Sequence, residues 1–232
     1  GQFSDPAKRA FINDLVCEAC GDCSDQSNCV SVQPLETEWG RKRQIDQSNC
    51  NKDFSCVKGF CPSFVTVNGG QVRKAKSDNN TRSTDTPDLF TDIPQPTQPS
   101  SAEPYAILVT GIGGTGVITI GALLGMAAHI QGKGVSVLDS TGLSQKNGAV
   151  ASPVRIADNA DDLHAVRIAP GGAQLLLGCD IMAAAAPASL MTLNEGVSHA
   201  VINSYVATPA AFVLNQSIDL SAERLIKRIR DA

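Results

Sequence analysis

Long apolar runs are missing from this 232-residue chain. Stretches such as Ile107–Val109 and Ile181–Ala186 fall far short of the roughly 20 residues that cross a bilayer as a helix. A basic leader with an apolar core is also missing, as is an initiator Met, so no secretory signal is expected and the chain reads as a split subunit or a piece of a longer cytoplasmic polypeptide. Excess positive charge is absent: a net charge of -4 and a pI near 5.3 argue against a surface built to neutralise nucleic-acid phosphates or anionic lipid. Histidine is sparse, and His129, His164 and His199 stand singly, without a Ser or Cys partner at nucleophile-pair spacing, so no residue is assigned catalysis. With 42% hydrophobic and 18% charged residues the chain can still build compact soluble structure, and two domains are expected.

Cysteine is what the sequence has in unusual density. Seven of eight lie between Cys17 and Cys61, an odd number that suits a disulfide lattice poorly and suits metal ligation in a reducing compartment better. Cys17-x2-Cys20-x2-Cys23 places three thiolates on one short turn, the spacing that wraps three corners of a 4Fe-4S cubane. In two-cluster ferredoxins the fourth ligand comes from the other motif and precedes proline. Cys61-Pro62 is the only Cys-Pro here, so Cys17, Cys20, Cys23 and Cys61 are grouped. Cys29, Cys50 and Cys56 remain for a second cluster. Cys50-x5-Cys56-x4-Cys61 is stretched and one ligand short, which leaves a three-iron cluster, a non-cysteine ligand such as Asp53 or Asn49, or buried thiols without metal. A structural zinc site is the plainer rival, although zinc knuckles usually arrive as two Cys-x2-Cys pairs. Cys179, alone after an apolar strand, reads as a small core residue.

The chain divides into a ferredoxin-like iron-sulfur module (1–73), a linker (74–104) and an α/β domain (105–232). In the module, strands are expected at Val30–Val32 and Phe64–Val67, with metal replacing the missing apolar core. The linker turns to Ser, Thr, Asp, Asn and Pro, with Leu89, Phe90 and Ile93 as candidates to dock on a neighbouring surface. Beyond Pro104 the pattern is a strand at Tyr105–Thr110, a glycine turn, a helix at Val117–Gln131 and a strand at Val135–Asp139. Further strands at Val150–Ile156, Gln174–Gly178 and His199–Asn203 and helices at Asp180–Leu190 and Ser221–Asp231 give a doubly wound, Rossmann-like layer. No internal repeat is evident.

Gly111-Ile112-Gly113-Gly114-Thr115-Gly116 fits G-x-G-x-x-G between strand and helix, with Asp139 ending the next strand where a ribose-binding acid would sit. Gly111, Gly113, Gly114 and Gly116 are therefore candidate cofactor-binding residues. The alternative is that these glycines only let strand and helix pack tightly. Lys146 and Arg155 could hold an anion or stand as solvated charges.

The segments Val16–Cys23, Gln47–Pro62 and Val109–Val117 together resemble the large fused bacterial indolepyruvate ferredoxin oxidoreductases, members of the 2-oxoacid:ferredoxin oxidoreductase family. The likeness covers nearly the whole chain and corresponds to a ferredoxin-type segment followed by a gamma-like domain that ends, at Ala232, before its usual last helices. It implies a thiamine diphosphate enzyme that decarboxylates an arylpyruvate with coenzyme A and passes electrons through iron-sulfur clusters to ferredoxin. It also implies an oligomer in which thiamine diphosphate and coenzyme A belong to the complete enzyme and are not placed on this chain, which lacks a recognisable thiamine motif and would be inactive in isolation. The gamma-like domain would be a packing and coenzyme-A-facing unit. Where such proteins read Gln-Lys-Gly-Gly and Ser-His-Val-Arg, this chain has Gln145-Lys146-Asn147-Gly148 and Ser152-Pro153-Val154-Arg155. The rival reading is a self-contained NAD(P)H- or flavin-linked iron-sulfur oxidoreductase.

Overall fold

A computed structural model describes residues 6–70, 94, 97, 99–142 and 147–232. In the N-terminal unit the order is β1 (Lys8–Ile12), α1 (Asp22–Ser27), β2 (Val32–Thr37), β3 (Gly40–Ile45), a 3-10 turn at Ser55–Val57 and β4 (Phe64–Asn68). β1 pairs antiparallel with β4, and β2 with β3. The β2–β3 hairpin turns at Glu38-Trp39, where Thr37 Oγ1 donates to the Gly40 carbonyl at 2.7 Å and Gly40 takes φ 89.

This topology is a strand-helix-strand unit used twice, first as β1, α1, β2 and then as β3, the 3-10 turn, β4. The repeat is cryptic in the sequence, because the second copy has shrunk its helix to a single turn and carries Asp53 where the first has Cys20. Its strands β1 and β3 also escape the apolar pattern, being rich in Lys and Arg. Few side chains form an apolar interior here: Ala10, Val32, Cys17 and Cys56 are buried beside Ser24, Ser31, Ser63, Arg9 and Arg43.

The C-terminal unit begins with β5 (Tyr105–Ile112) and α2 (Val117–Ile130), followed by β6 (Gly134–Val137), β7 (Ser140–Thr141) and β8 (Ala149–Ala157). β9 (Leu175–Gly178), α3 (Ile181–Ala184), α4 (Pro187–Leu190), β10 (His199–Ile202) and α5 (Ala222–Arg230) complete it. β5 is buried on both faces. Ile107 and Val109 pack with Val117 and Val154 beneath α2, while Leu108 packs with Leu176 and Ala184 on the opposite side. Helices therefore cover both faces, as expected, but the sheet is mixed and the doubly wound parallel arrangement needs correction. The strand order is β10-β9-β5-β8-β6, with β10, β9 and β5 parallel and β8 antiparallel to both β5 and β6. The reason lies between β6 and β8. No crossover helix separates them among the described residues, so the chain doubles back and pairs antiparallel, in the slot a Rossmann unit would give to β6.

The helix expected over 180–190 is two short helices, because Pro187 has no N–H to continue α3 and instead begins α4. On α2 the buried stripe is Val117, Gly121, Gly125 and Ala128. A Cβ on Gly125 would stand 2.9 Å from Val137, so the glycine allows close helix–sheet approach. The outer side of α2 is also apolar, with Leu123 65%, Met126 58% and Ile130 76% exposed. α5 is capped by Ser221 and carries Lys227, Arg228 and Arg230 in its last turn, where cations meet the helix carbonyls favourably.

The two units touch through β3. Arg41 Nη1 donates to the carbonyls of Gln216 at 2.9 Å and Ile218 at 3.1 Å, and Arg43 lies 5.0 Å above the ring of buried Phe212. Ahead of β5, in the stretch expected to be a linker, the Ser101 carbonyl accepts the Asp158 N–H at 2.9 Å. Leu89, Phe90 and Ile93 lie outside the described residues. Among the described residues no helix is long and apolar enough to cross a membrane.

Candidate functional site

The seven N-terminal cysteines separate into two sets. Cys23 feels the charges of Cys17, Cys20 and Cys61, and Cys56 feels those of Cys29 and Cys50. None of the eight cysteines is in a disulfide. Among the described residues no three His, Cys, Asp or Glu side chains form a group that could hold a single metal ion. Each set is a neighbourhood of thiols and not a tight shell about a point. It crosses the repeat, with Cys61 of the second half joining the first half's three thiols and Cys29 of the first half joining Cys50 and Cys56.

The loops bearing these thiols share one backbone geometry. Cys17 Sγ accepts the Ala19 N–H at 3.4 Å, and Cys50 Sγ accepts the Lys52 N–H at 3.4 Å. Ala19 (φ 59) and Lys52 (φ 60) are left-handed, as are Gly21 (φ 86) and Phe54 (φ 56) two residues later. Four such residues at matching places, three of them not glycine, are costly unless the fold needs the loop to curl around something. N–H groups turned toward sulfur favour a thiolate that carries metal charge.

Burial pushes the Cys23 thiol up, opposed by the nearby Arg43 guanidinium. Burial, followed by the charges of Cys29 and Cys50, pushes Cys56 up to about 11. Such thiols keep their protons at neutral pH until a metal displaces them. Arg43 is 2% exposed and makes no carboxylate ion pair among the described residues. Its Nη2 donates to Gln216 Oε1 at 2.5 Å and its Nε has no partner. A buried guanidinium without a carboxylate needs another anion, and the thiol set beside it is the available one. Lys42 Nζ adds a second cation by donating to the Cys17 carbonyl at 2.7 Å. The four-thiol donor set, curled loops and buried counter-cation fit an anionic iron-sulfur cluster. Sequence reading missed Arg43, Gln216 and Phe212 because they meet only through the tertiary fold. The one local signal was Arg41 and Arg43 alternating on a strand beside a cysteine cluster.

The glycine loop follows β5 and leads into α2. Its four glycines do different things. A Cβ on Gly111 would meet Thr115 Oγ1 at 2.5 Å and Cys179 at 2.8 Å, so this glycine serves packing. Gly114 (φ 94) and Gly116 (φ 87) are left-handed with open space where a side chain would be, and Gly113 donates its N–H to the Gly148 carbonyl at 2.7 Å. Gly113, Gly114 and Gly116 line a cavity of about 430 Å³ with Ile118, Thr119 and Thr141. On its other side the loop borders a cavity of about 360 Å³ shared with Gln33, Asp46 and Asn49 of the cysteine unit. Asp139 lines neither, facing instead a cleft with Arg167 and Ser189, so the acid expected on a ribose is not brought to the glycines. The intervening β8 is the cause.

Two further residues brace this loop. Asp180, fully buried, accepts from the Ile112 N–H at 2.6 Å and the Ala183 N–H at 2.9 Å, so it caps α3 and fixes the start of the turn. Asn147, 6% exposed, takes φ 55 and donates from Nδ2 to the Thr208 carbonyl at 3.0 Å. The departure from Gln-Lys-Gly-Gly thus falls on a left-handed position that Asn tolerates. Lys146 lies outside the described residues, and Arg155 Nη1 donates to the Ala165 carbonyl at 2.8 Å. Cys179 is partly buried against the Ile107–Val109 cluster, and burial pushes its thiol up.

The profile of the family described as pyruvate ferredoxin/flavodoxin oxidoreductase matches residues 106–230. The chain is 38% identical over 73 residues to the indolepyruvate oxidoreductase subunit IorB of Pyrococcus horikoshii, and 37% identical over 73 residues to that of Thermococcus kodakarensis. Each match takes in 32% of this chain and 35% of the relative, so the chain spans about a third of the length of these proteins. Among solved structures, the pyruvate oxidoreductase subunit PORC of Thermotoga maritima aligns at TM-score 0.36 and 20% identity, over 48% of this chain and 55% of that one. The gamma subunit of a keto/oxoacid ferredoxin oxidoreductase from Geobacter sulfurreducens aligns at TM-score 0.33 and 28% identity, over 44% and 52%.

Proposed function

The chain belongs to the pyruvate ferredoxin/flavodoxin oxidoreductase family, and on that premise we propose that it is the electron-carrying and gamma-like portion of a thiamine diphosphate-dependent 2-oxoacid:ferredoxin oxidoreductase. Indolepyruvate or a related arylpyruvate is the proposed oxoacid, and the name of the relatives that share 73 residues with this chain supports that choice. The observation that carries the reading is the grouping of Cys17, Cys20, Cys23 and Cys61 beside buried Arg43, which pairs with no carboxylate among the described residues. Those four thiols would hold a 4Fe-4S cluster, which when bound supplies one-electron steps at low potential. Cys29, Cys50 and Cys56 would hold a second.

The residues of this chain have distinct tasks in that reading. Arg43 offsets negative charge at the first thiol set and, through Gln216 and Phe212, ties that set to the α/β unit. The N–H groups of Ala19 and Lys52 steady the sulfurs of Cys17 and Cys50. Cys20 stands exposed, on the side from which an electron partner could approach. Gly113, Gly114 and Gly116 shape a cavity that would face coenzyme A or a neighbouring domain, while Gly111 packs. Thiamine diphosphate and the decarboxylation chemistry reside on partner domains or subunits in an oligomeric cytoplasmic enzyme, and ferredoxin takes the electrons.

Anaerobically purified chain should be brown, contain iron and sulfide, and bleach with dithionite. In the complete enzyme, Cys20→Ser should abolish ferredoxin reduction while arylpyruvate binding persists. A colourless chain holding one zinc ion, or full turnover by Cys20→Ser, would sink the proposal.

A further inference from the structure

We propose that Asp53 is the fourth ligand of the second thiol set, an oxygen corner completing Cys29, Cys50 and Cys56 around a site-differentiated cubane cluster. The inference rests on the iron-sulfur reading above and extends it to a residue outside the cysteine inventory. The two halves of the N-terminal unit keep one spacing: Cys17, Ala19, Cys20, Gly21 and Cys23 in the first correspond to Cys50, Lys52, Asp53, Phe54 and Cys56 in the second. The correspondence is conformational as well as numerical. Ala19 matches Lys52 at φ 59 and 60, Gly21 and Phe54 are both left-handed, and a helical turn starts immediately afterward in each, at Asp22 and at Ser55. Asp53 therefore occupies the loop position of Cys20, and both residues are exposed.

The local bonding agrees. Cys17 and Cys50 each accept an N–H from two residues onward, and Asp53 Oδ1 accepts the Ser55 N–H at 3.1 Å in the same register. Asp53 is also among the charged neighbours of Cys56, with Cys29 and Cys50. Asn49, the other non-cysteine candidate, falls outside the repeat, and its amide donates to Asp46 Oδ2 at 2.8 Å.

A carboxylate is a harder ligand than thiolate and holds cluster iron less firmly, so the Asp53 corner is where iron exchanges. With ferricyanide as oxidant, one electron passes from a cluster in its 2+ state to ferricyanide, giving ferrocyanide. With a cluster bound, the iron(II) held by Asp53 would then leave, its bonds to the carboxylate and to sulfide broken, so that a three-iron cluster in the 1+ state would remain with the Asp53 carboxylate free and ionised.

The test uses the anaerobic full-length chain, with iron and sulfide quantitation and low-temperature EPR before and after stoichiometric ferricyanide. The unaltered chain should fall from roughly eight to roughly seven iron ions and gain one spin-half three-iron signal per chain. Asp53→Cys should keep its iron and lose that signal, whereas Asp53→Ala should show the signal as purified. Asp53→Asn keeps the turn to Ser55 but not the carboxylate, and should behave like Asp53→Ala. If Asp53→Asn and Asp53→Ala match the unaltered chain, the ligand role is overturned. It is equally overturned if the chain holds roughly four iron ions, all lost in Cys20→Ser, since the second set is then without a cluster although the electron-carrier reading survives. A chain with no iron would overturn both.

Discussion

Residues 105–232 bury Val109, Val154, Leu176 and Ala184 to zero exposure and join three apolar clusters across a sheet covered on both faces. Residues 6–70 contribute to none of those clusters, and serines, arginines and thiols make up most of what they bury. The α/β unit can be held by the hydrophobic effect. The cysteine unit buries too little apolar surface to offset the entropy of ordering its loops, so in the proposed reading its folding and its binding of metal are one equilibrium.

That contrast can be broken most directly by removing iron. Anaerobic chelation should erase amide-exchange protection across 6–70 while leaving β5, β8 and β9 protected, and equal loss in both units would refute it. The converse is Leu176→Ala, which should destabilise the α/β unit by about 2–5 kcal/mol in denaturant melts with iron content unchanged. Next is pH. Cys56, held up at about 11, must lose its proton to take metal, so affinity for metal should climb with pH. Each displaced proton is worth about 1.4 kcal/mol per pH unit, and the rise should stop only above that value. Titration of the apo chain with cobalt(II) from neutral to alkaline pH would measure the slope, and a flat profile would mean that these thiols are not the ligands. The smallest effect is expected at the seam between the units. Asn147→Gly keeps the left-handed backbone but loses the bond to the buried Thr208 carbonyl and should cost about 1 kcal/mol, and Asn147→Ala should cost about 1 kcal/mol more for its backbone, as thermal midpoints would report.

How legible each unit was follows the same physical divide. β5, the glycine turn and α2 were readable because a strand buried on both faces is a continuous apolar run and the helix begins at the glycines. The direction of β8 was not, since an apolar run records burial and says nothing of strand polarity. In the cysteine unit the Cys-Pro signature suggested that Cys61 joins the first three thiols, and Cys61 lies near enough to Cys23 for its charge to be felt there. The repeat stayed hidden because backbone dihedrals at Ala19, Lys52 and Phe54 carry it, and none of those residues advertises a left-handed conformation. Asp180 and Asn147 were missed for a related reason: a buried polar residue is recognisable only once its N–H and carbonyl partners are known.

The exchange of Cys61 and Cys29 between the two halves also dictates timing. A ribosome that has delivered only the first half has presented Cys17, Cys20 and Cys23 without Cys61, which lies more than thirty residues beyond Cys23, and Cys29 without Cys50 and Cys56. If the thiols take metal as proposed, neither nest can close until both copies of the strand-helix-strand unit have emerged, so maturation with metal would act as a checkpoint on synthesis of the unit.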